Sequence, residues 1–164
     1  CQMKRIIVIG CPGSGKSTFS RELHRLTSIP LFHLDMLCWN PDRTKVDRSV
    51  FVDKLLHIMQ LDEWILDGNY GSTMELRLQY CNTVFFLDYP LGVCLAGIQS
   101  RRGKPRSDMP WVQEEDDLEF IESINNYNSV SKPKVMALLD NHPSKNVYIF
   151  KSRSEADEFL KQMK

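Results

Sequence analysis

Residues 4 to 18 read Lys4-Arg-Ile-Ile-Val-Ile-Gly10-Cys-Pro-Gly-Ser-Gly-Lys16-Ser-Thr18. The first half is a short β-branched apolar run, the pattern of a strand buried on both faces of a parallel sheet. The second half is Gly-x-x-x-x-Gly-Lys-Ser, spanning Gly10, Cys11, Pro12, Gly13, Ser14, Gly15, Lys16 and Ser17, with Thr18 after it. Glycines let such a loop turn its N–H groups toward phosphate oxygens, and the N-terminus of a following helix adds its own positive field. Lys16 supplies a cation for the β- and γ-phosphates, and Ser17 a hydroxyl for Mg²⁺. The stretch therefore predicts a strand, a phosphate cradle and a helix that together hold ATP. A glycine-rich structural turn does not account for Lys16-Ser17-Thr18. Cys11, within the loop, is read as a small tolerated residue.

Outward from this cradle the chain alternates. Further strand-like runs are Pro30-Leu-Phe-His-Leu34, Glu63-Trp-Ile-Leu-Asp67, Thr83-Val-Phe-Phe-Leu-Asp88 and Asn146-Val-Tyr-Ile-Phe150. Helical spacing is expected over 15–26, 47–61, 72–80 and 91–102, then over a long or broken stretch at 114–142, interrupted near Lys132-Pro133. The last expected helix is 154–162, with Asp47 and Ser154 as N-caps of their helices and Asp157 at N3. Phe120, Tyr127 and Met136 fall on helical patterns and read as core. Strands alternating with helices imply βαβ units and an α/β domain. No linker or repeat divides the chain, so residues 1–164 read as one domain.

Composition narrows the function. The 164 residues are 42% hydrophobic, enough for a core, and 21 basic residues balance 21 acidic ones. A nucleic-acid-binding domain normally carries a basic excess, so direct nucleic-acid binding is not expected. Five cysteines show no Cys-x-x-Cys pair and no zinc-like spacing with the four histidines. That usage fits a reducing, cytoplasmic setting. No apolar run is long enough to span a bilayer, and Glu114-Glu-Asp-Asp117 reads as the acidic start of a helix. The oligomeric state leaves no mark.

A phosphate cradle names a ligand and leaves the reaction open. The guanine-reading Asn-Lys-x-Asp and the Asp-x-x-Gly switch of Ras-like GTPases are missing, whereas an arginine-rich segment after the fourth strand suits a phosphotransfer kinase. Several segments carry a closer resemblance: the cradle itself, Pro30-Leu-Phe-His-Leu-Asp-Met-Leu-Cys-Trp-Asn40, Trp64-Ile-Leu-Asp-Gly-Asn-Tyr70, Phe86-Leu-Asp-Tyr-Pro90 and Arg106-Ser-Asp-Met-Pro110. With these the chain resembles the adenylate-kinase-like proteins called DNA topology modulation proteins. The resemblance implies a three-layer P-loop fold of the nucleoside-monophosphate-kinase type, with five parallel strands in the order 2-3-1-4-5. It implies ATP, Mg²⁺ and an unidentified small-molecule acceptor, nucleotide- or nucleoside-like. A nucleotide-responsive regulator of DNA topology is the alternative.

Roles follow from that frame. Asp67 ends the third strand, beside the cradle strand in this fold, and resembles the carboxylate that joins Ser17 in holding Mg²⁺; capping the Gly68-Asn69 turn is its other reading. Asp35 ends the second strand and resembles a residue facing the acceptor as base or hydroxyl orienter, with a turn or helix cap as the alternative. Asp88 reads as mainly structural. Arg101, Arg102, Lys104 and Arg106 resemble a short lid over about 101–112, Arg102 and Arg106 being the pair that closes on the phosphates. Trp39, Asn69, Tyr70 and Arg77 are the candidate acceptor pocket; Trp39 is equally a stacking platform or a core residue. Asn69-Tyr70 departs from the Phe-Pro-Arg usual after the Asp-Gly, which removes the expected phosphate clamp and leaves Arg77 as its replacement. The donor base is expected against Lys151-Ser-Arg153, with Arg153 in contact.

Overall fold

A computed structural model describes residues 4–10, 15–38, 42, 44, 46–68, 71–89, 92–93, 132–143 and 145–163. The elements in chain order are β1 (Arg5–Gly10), α1 (Lys16–Thr27), β2 (Leu31–His33), α2 (Leu34–Cys38), α3 (Arg48–Met59), β3 (Trp64–Asp67) and α4 (Gly71–Tyr80). They continue with β4 (Thr83–Leu87), α5 (Lys132–Asp140), β5 (Asn146–Phe150) and α6 (Arg153–Gln162). The strands form one sheet in the order β2-β3-β1-β4-β5, and every neighbouring pair is parallel. This is the expected α/β architecture with the expected strand order.

Burial explains why the central strands read so clearly. Ile6 to Ile9, Trp64 to Leu66 and Val84 to Leu87 are all fully buried, as strands covered on both faces must be. The edge strands differ from that expectation. Val147, Tyr148 and Ile149 of β5 stay 36–37% exposed, and all three residues of β2 are half-buried. An edge strand has a neighbour on one side alone, and its apolar run covers less surface than the same run in the centre.

The helices hold the loops at one end of this sheet. Phe19 and Leu23 bury one face of α1, and Ser28 ends it in a left-handed turn, its N–H donating to the His24 carbonyl. An aromatic cluster locks α1 to the sheet and to α6: the Phe19 ring lies 5.2 Å from Phe85, and Phe159 lies 5.4 Å from Phe85. Such tilted and edge-on pairs add to the area they bury. Phe51, Leu55 and Ile58 bury α3 at helical spacing.

Several boundaries move. Asp47 is the N-cap of α3 as expected, though without a side-chain cap bond. The cap of α6 is Ser152, not Ser154: the Ser152 hydroxyl accepts from the Glu155 N–H, and the Glu155 carboxylate accepts from the Lys151 N–H. Both serines stand three residues before an acid, but β5 ends at Phe150, and the first serine after it takes the cap. The break expected near Lys132-Pro133 is the start of α5, where proline's missing N–H costs nothing. Helix α2 was not expected. Of the 114–142 stretch the described helix is α5, and the expected helix at 91–102, Phe120 and Tyr127 lie outside the described residues apart from 92–93. Cys81 is free and buried, and burial pushes its thiol up to about 11, which makes it an inert core residue. Among the described residues no helix is long and apolar enough to cross a membrane.

Candidate phosphate and metal site

In a parallel α/β sheet, ligands collect at the carboxyl ends of the strands, where successive crossovers leave in opposite directions. Here that point is the end of β1. The chain leaves β1 toward β2 and β3 on one side and, after β3, crosses to β4 on the other. Gly10 pairs with Leu87 of β4, and two residues earlier Val8 pairs with Asp67 of β3.

Helix α1 begins directly beyond this point. Its N-cap is Gly15, held at φ 95° and ψ 27°, with no side-chain cap bond and no acid in the first turn. The left-handed conformation suits glycine. A helix start without a capping side chain or a carboxylate leaves its field and N–H groups suited to an anion. The contrast with α6, capped by Ser152, lies within the same chain. Lys16 folds back toward β1, its ammonium donating to the Gly10 carbonyl at 3.4 Å. Lys16, Ser17 and Thr18 thus occupy the first turn of α1, at the end of the sheet where the sequence placed them. Cys11, Pro12, Gly13 and Ser14 lie outside the described residues.

Asp67 is fixed from several sides. Its carboxylate accepts a hydrogen bond from His33 Nδ1 at 2.7 Å. The next residue, Gly68, donates its N–H to the Val8 carbonyl at 3.0 Å, and its own carbonyl accepts from Arg77 Nη1 at 3.0 Å. Asp67 and Ser17 offer hard oxygen donors of the kind Mg²⁺ takes. Among the described residues no group of three or more His, Cys, Asp or Glu forms a metal cage. Mg²⁺ keeps several waters and shares its shell with substrate phosphates, so one carboxylate and one hydroxyl suit it. The residues present therefore fit the cation, with Asp67 and Ser17 as the groups that would hold it.

Arg77 was expected to face an acceptor. It is fully buried, its Nη1 on the Gly68 carbonyl and its Nε 3.3 Å from the Thr73 hydroxyl. The bond to Gly68 ties α4 to the residue that follows Asp67. Asp35 is the second residue of α2, directly beyond the carboxyl end of β2; its side chain lies outside the described atoms. Trp39, Asn69, Tyr70 and the lid segment with Arg101, Arg102, Lys104 and Arg106 are outside the described residues as well.

On the other side of β1, a groove of about 710 Å³ runs between α1 and α6 and is lined by Gly15, Thr18, Tyr89 and Arg153 among others. The start of α1 and the start of α6, just beyond the loop after β5, thus border one space. That loop is anchored by Asp88, a buried carboxylate paired with Lys132 at 2.7 Å and Lys151 at 2.5 Å. Burial pushes the Asp88 carboxyl up, but the hydrogen bonds and charges of the two lysines outweigh it and hold it below its ordinary value. A depressed carboxyl stabilises the fold above its unfolded pKa of about 4 and loses that contribution as pH falls through the folded value. Lys151 is largely exposed, so screening reduces its share. Asp88→Asn is expected to cost about 1–2 kcal/mol at neutral pH. Chemical denaturation at several pH values checks it: the gap from the parent should close below about pH 4.

Sequence reasoning missed His33 and the two lysines on Asp88. Their partners lie far away in the chain, and only the assembled fold brings them together: β2 beside β3 for His33, β4 beside β5 for Lys151, and the start of α5 for Lys132. A histidine immediately before the end of a strand, two residues ahead of Asp35, was the available sign.

No protein-family description and no curated protein matches the chain. Solved structures do. A shikimate kinase from Bacteroides thetaiotaomicron superposes with a TM-score of 0.64 at 16% identity, covering 99% of this chain and 96% of that one. A shikimate kinase from Acinetobacter baumannii, in complex with shikimate, gives 0.64 at 15% identity over 99% and 93%. A sugar kinase from Janibacter sp. HTCC2649 gives 0.57 at 12% identity over 98% and 92%. At such identities the likeness is one of fold, and it covers the whole chain: a five-stranded parallel sheet of order 2-3-1-4-5 flanked by helices, as in the P-loop kinases.

Proposed function

We propose that the protein is an ATP-dependent phosphotransferase that moves the γ-phosphoryl group to a hydroxyl or phosphate of a small acceptor. The observation that carries this reading is the placing of Lys16 at the start of the helix that follows β1, with Asp67 ending the adjacent strand β3. Phosphoryl transfer depends on positioning and on neutralising charge more than on covalent chemistry. In this scheme Lys16 and the α1 N-terminus bind the phosphates, and Arg153 borders the donor base. Mg²⁺, when bound by Ser17 and Asp67, supplies charge neutralisation on the β- and γ-oxygens. The acceptor enters on the α2 side, where Asp35 orients its hydroxyl or takes its proton. Arg102 and Arg106 close over the transferring group and exclude water; Trp39, Asn69 and Tyr70 border the acceptor. The fold shared with shikimate and sugar kinases supports a hydroxyl-bearing acceptor, and the resemblance to adenylate-kinase-like proteins supports a nucleotide- or nucleoside-like one. The balanced charge of the chain favours a small molecule over direct action on DNA.

ADP formation from Mg-ATP against a panel of nucleosides, nucleoside mono- and diphosphates, sugars and hydroxy acids tests the proposal. Acceptor-dependent turnover with at least one class is expected, and its absence across the panel rejects a kinase. With a responding acceptor in hand, Asp35→Asn should lower turnover about 100-fold while ATP affinity holds. Loss of ATP binding in that variant would move Asp35 to the donor side.

A further inference from the structure

We propose that His33 is a positioning residue for the metal-holding carboxylate, so that Asp67 meets Mg²⁺ in one fixed orientation. The inference rests on the reading of Asp67 given above and adds a residue to it. His33 and Asp67 are register partners at the ends of two adjacent parallel strands. Side chains of register partners lie on the same face of the sheet, so the strand pairing itself brings imidazole and carboxylate together. The bond is 2.7 Å, and the two side chains are only 11% and 6% exposed. Against an ionised carboxylate Nδ1 carries the hydrogen and donates. Shielding from water strengthens such a bond and makes its loss costly.

The bond engages Oδ2, which restricts rotation of the carboxylate. Backbone bonds restrict the rest: Gly68 is tied to β1 through Val8 and to α4 through Arg77. What remains adjustable in Asp67 is its side-chain torsion, and the His33 bond restricts it. Hydrogen-bonded partners of a metal-ligating carboxylate orient it and tune its affinity. A purely structural pair would instead stabilise the β2–β3 edge and leave metal binding untouched once the protein is folded.

The experiment titrates MgCl₂ into the full chain with ATP present, reading ATP affinity by calorimetry with no acceptor added. In the parent, Mg²⁺ should tighten ATP binding. In His33→Phe the Mg²⁺ concentration for half the effect should rise about 10–100-fold, with affinity for metal-free ATP unchanged. His33→Asn, whose amide can donate from near the Nδ1 position, should recover most of the loss. A parental Mg²⁺ midpoint in His33→Phe overturns the inference and leaves the kinase reading standing. A parent chain whose ATP affinity ignores Mg²⁺ overturns the inference and the assignment of Asp67 together. Should His33→Phe fail to fold, the comparison passes to His33→Asn and His33→Gln, since the longer amide reaches past the Nδ1 position. A midpoint shifted in Gln alone supports the proposal, and parental midpoints in both reject it.

Discussion

Lys16→Ala is expected to lower phosphoryl transfer about 1,000-fold and to weaken ATP binding, while the fold survives. The reasoning starts from position. Lys16 is the first residue of α1, and its ammonium bends back to the Gly10 carbonyl, so that a modest swing aims it at a phosphate seated on the helix start. A carbonyl 3.4 Å away is a weak partner; a polyphosphate is a far better one, because both members are charged. The ammonium therefore gains more in the transferring state, where negative charge shifts toward the bridging oxygen, than at rest. Nothing in the core depends on it, since α1 is held by Phe19 and Leu23. Thermal unfolding should change little, and binding and turnover should fall together. A variant that keeps turnover would remove the cradle from the chemistry.

The second large effect is on the fold around Asp67. Gly68 has φ +130°, and a Cβ built there would stand 2.9 Å from Leu34 Cβ and 3.0 Å from Leu34 Cδ1. Gly68→Ala is expected to cost about 2–5 kcal/mol, adding backbone strain to overpacking and offset slightly by the stiffer unfolded chain. Leu34 is the first residue of α2, next to both His33 and Asp35, and moving it displaces both. Denaturant midpoints measure the stability loss. A double variant with Leu34→Ala should be less destabilised than the sum of the singles, because both changes act on one contact. The relief is partial, since the Leu34 Cβ remains.

The close fit of Gly68 against Leu34 also marks where the sequence ceases to be legible. The cradle motif and the central strands announce themselves because each is a local pattern: β-branched runs, glycines at fixed offsets, a lysine at a helix start. The strand order comes only through the family resemblance. Helix α2 gives no such sign, since five residues are too few to display a helical period, and Leu34 reads equally as the end of a strand. Arg77 is a charged residue in the last turn of a helix, which the sequence reading assigns to the acceptor pocket. Its burial follows from a carbonyl nine residues back that needed a donor. The bonds of His33 to Asp67 and of Lys151 to Asp88 exist only once the sheet is assembled. Asp88, by contrast, was read as structural, and its two lysine partners give that reading its physical form. Ser152 and Ser154 show a finer limit: both carry the spacing of a cap, and the end of β5 selects between them.

The central claim is that this site transfers the γ-phosphoryl group to an acceptor. Following the phosphorus of γ-labelled ATP by ³¹P NMR, with Mg²⁺ and the acceptor class that stimulates ADP release, tests it most directly. The account expects a new phosphoester resonance growing in step with ADP, absent in Lys16→Ala. Label found solely as inorganic phosphate, or retained in ATP with every acceptor class, would contradict it.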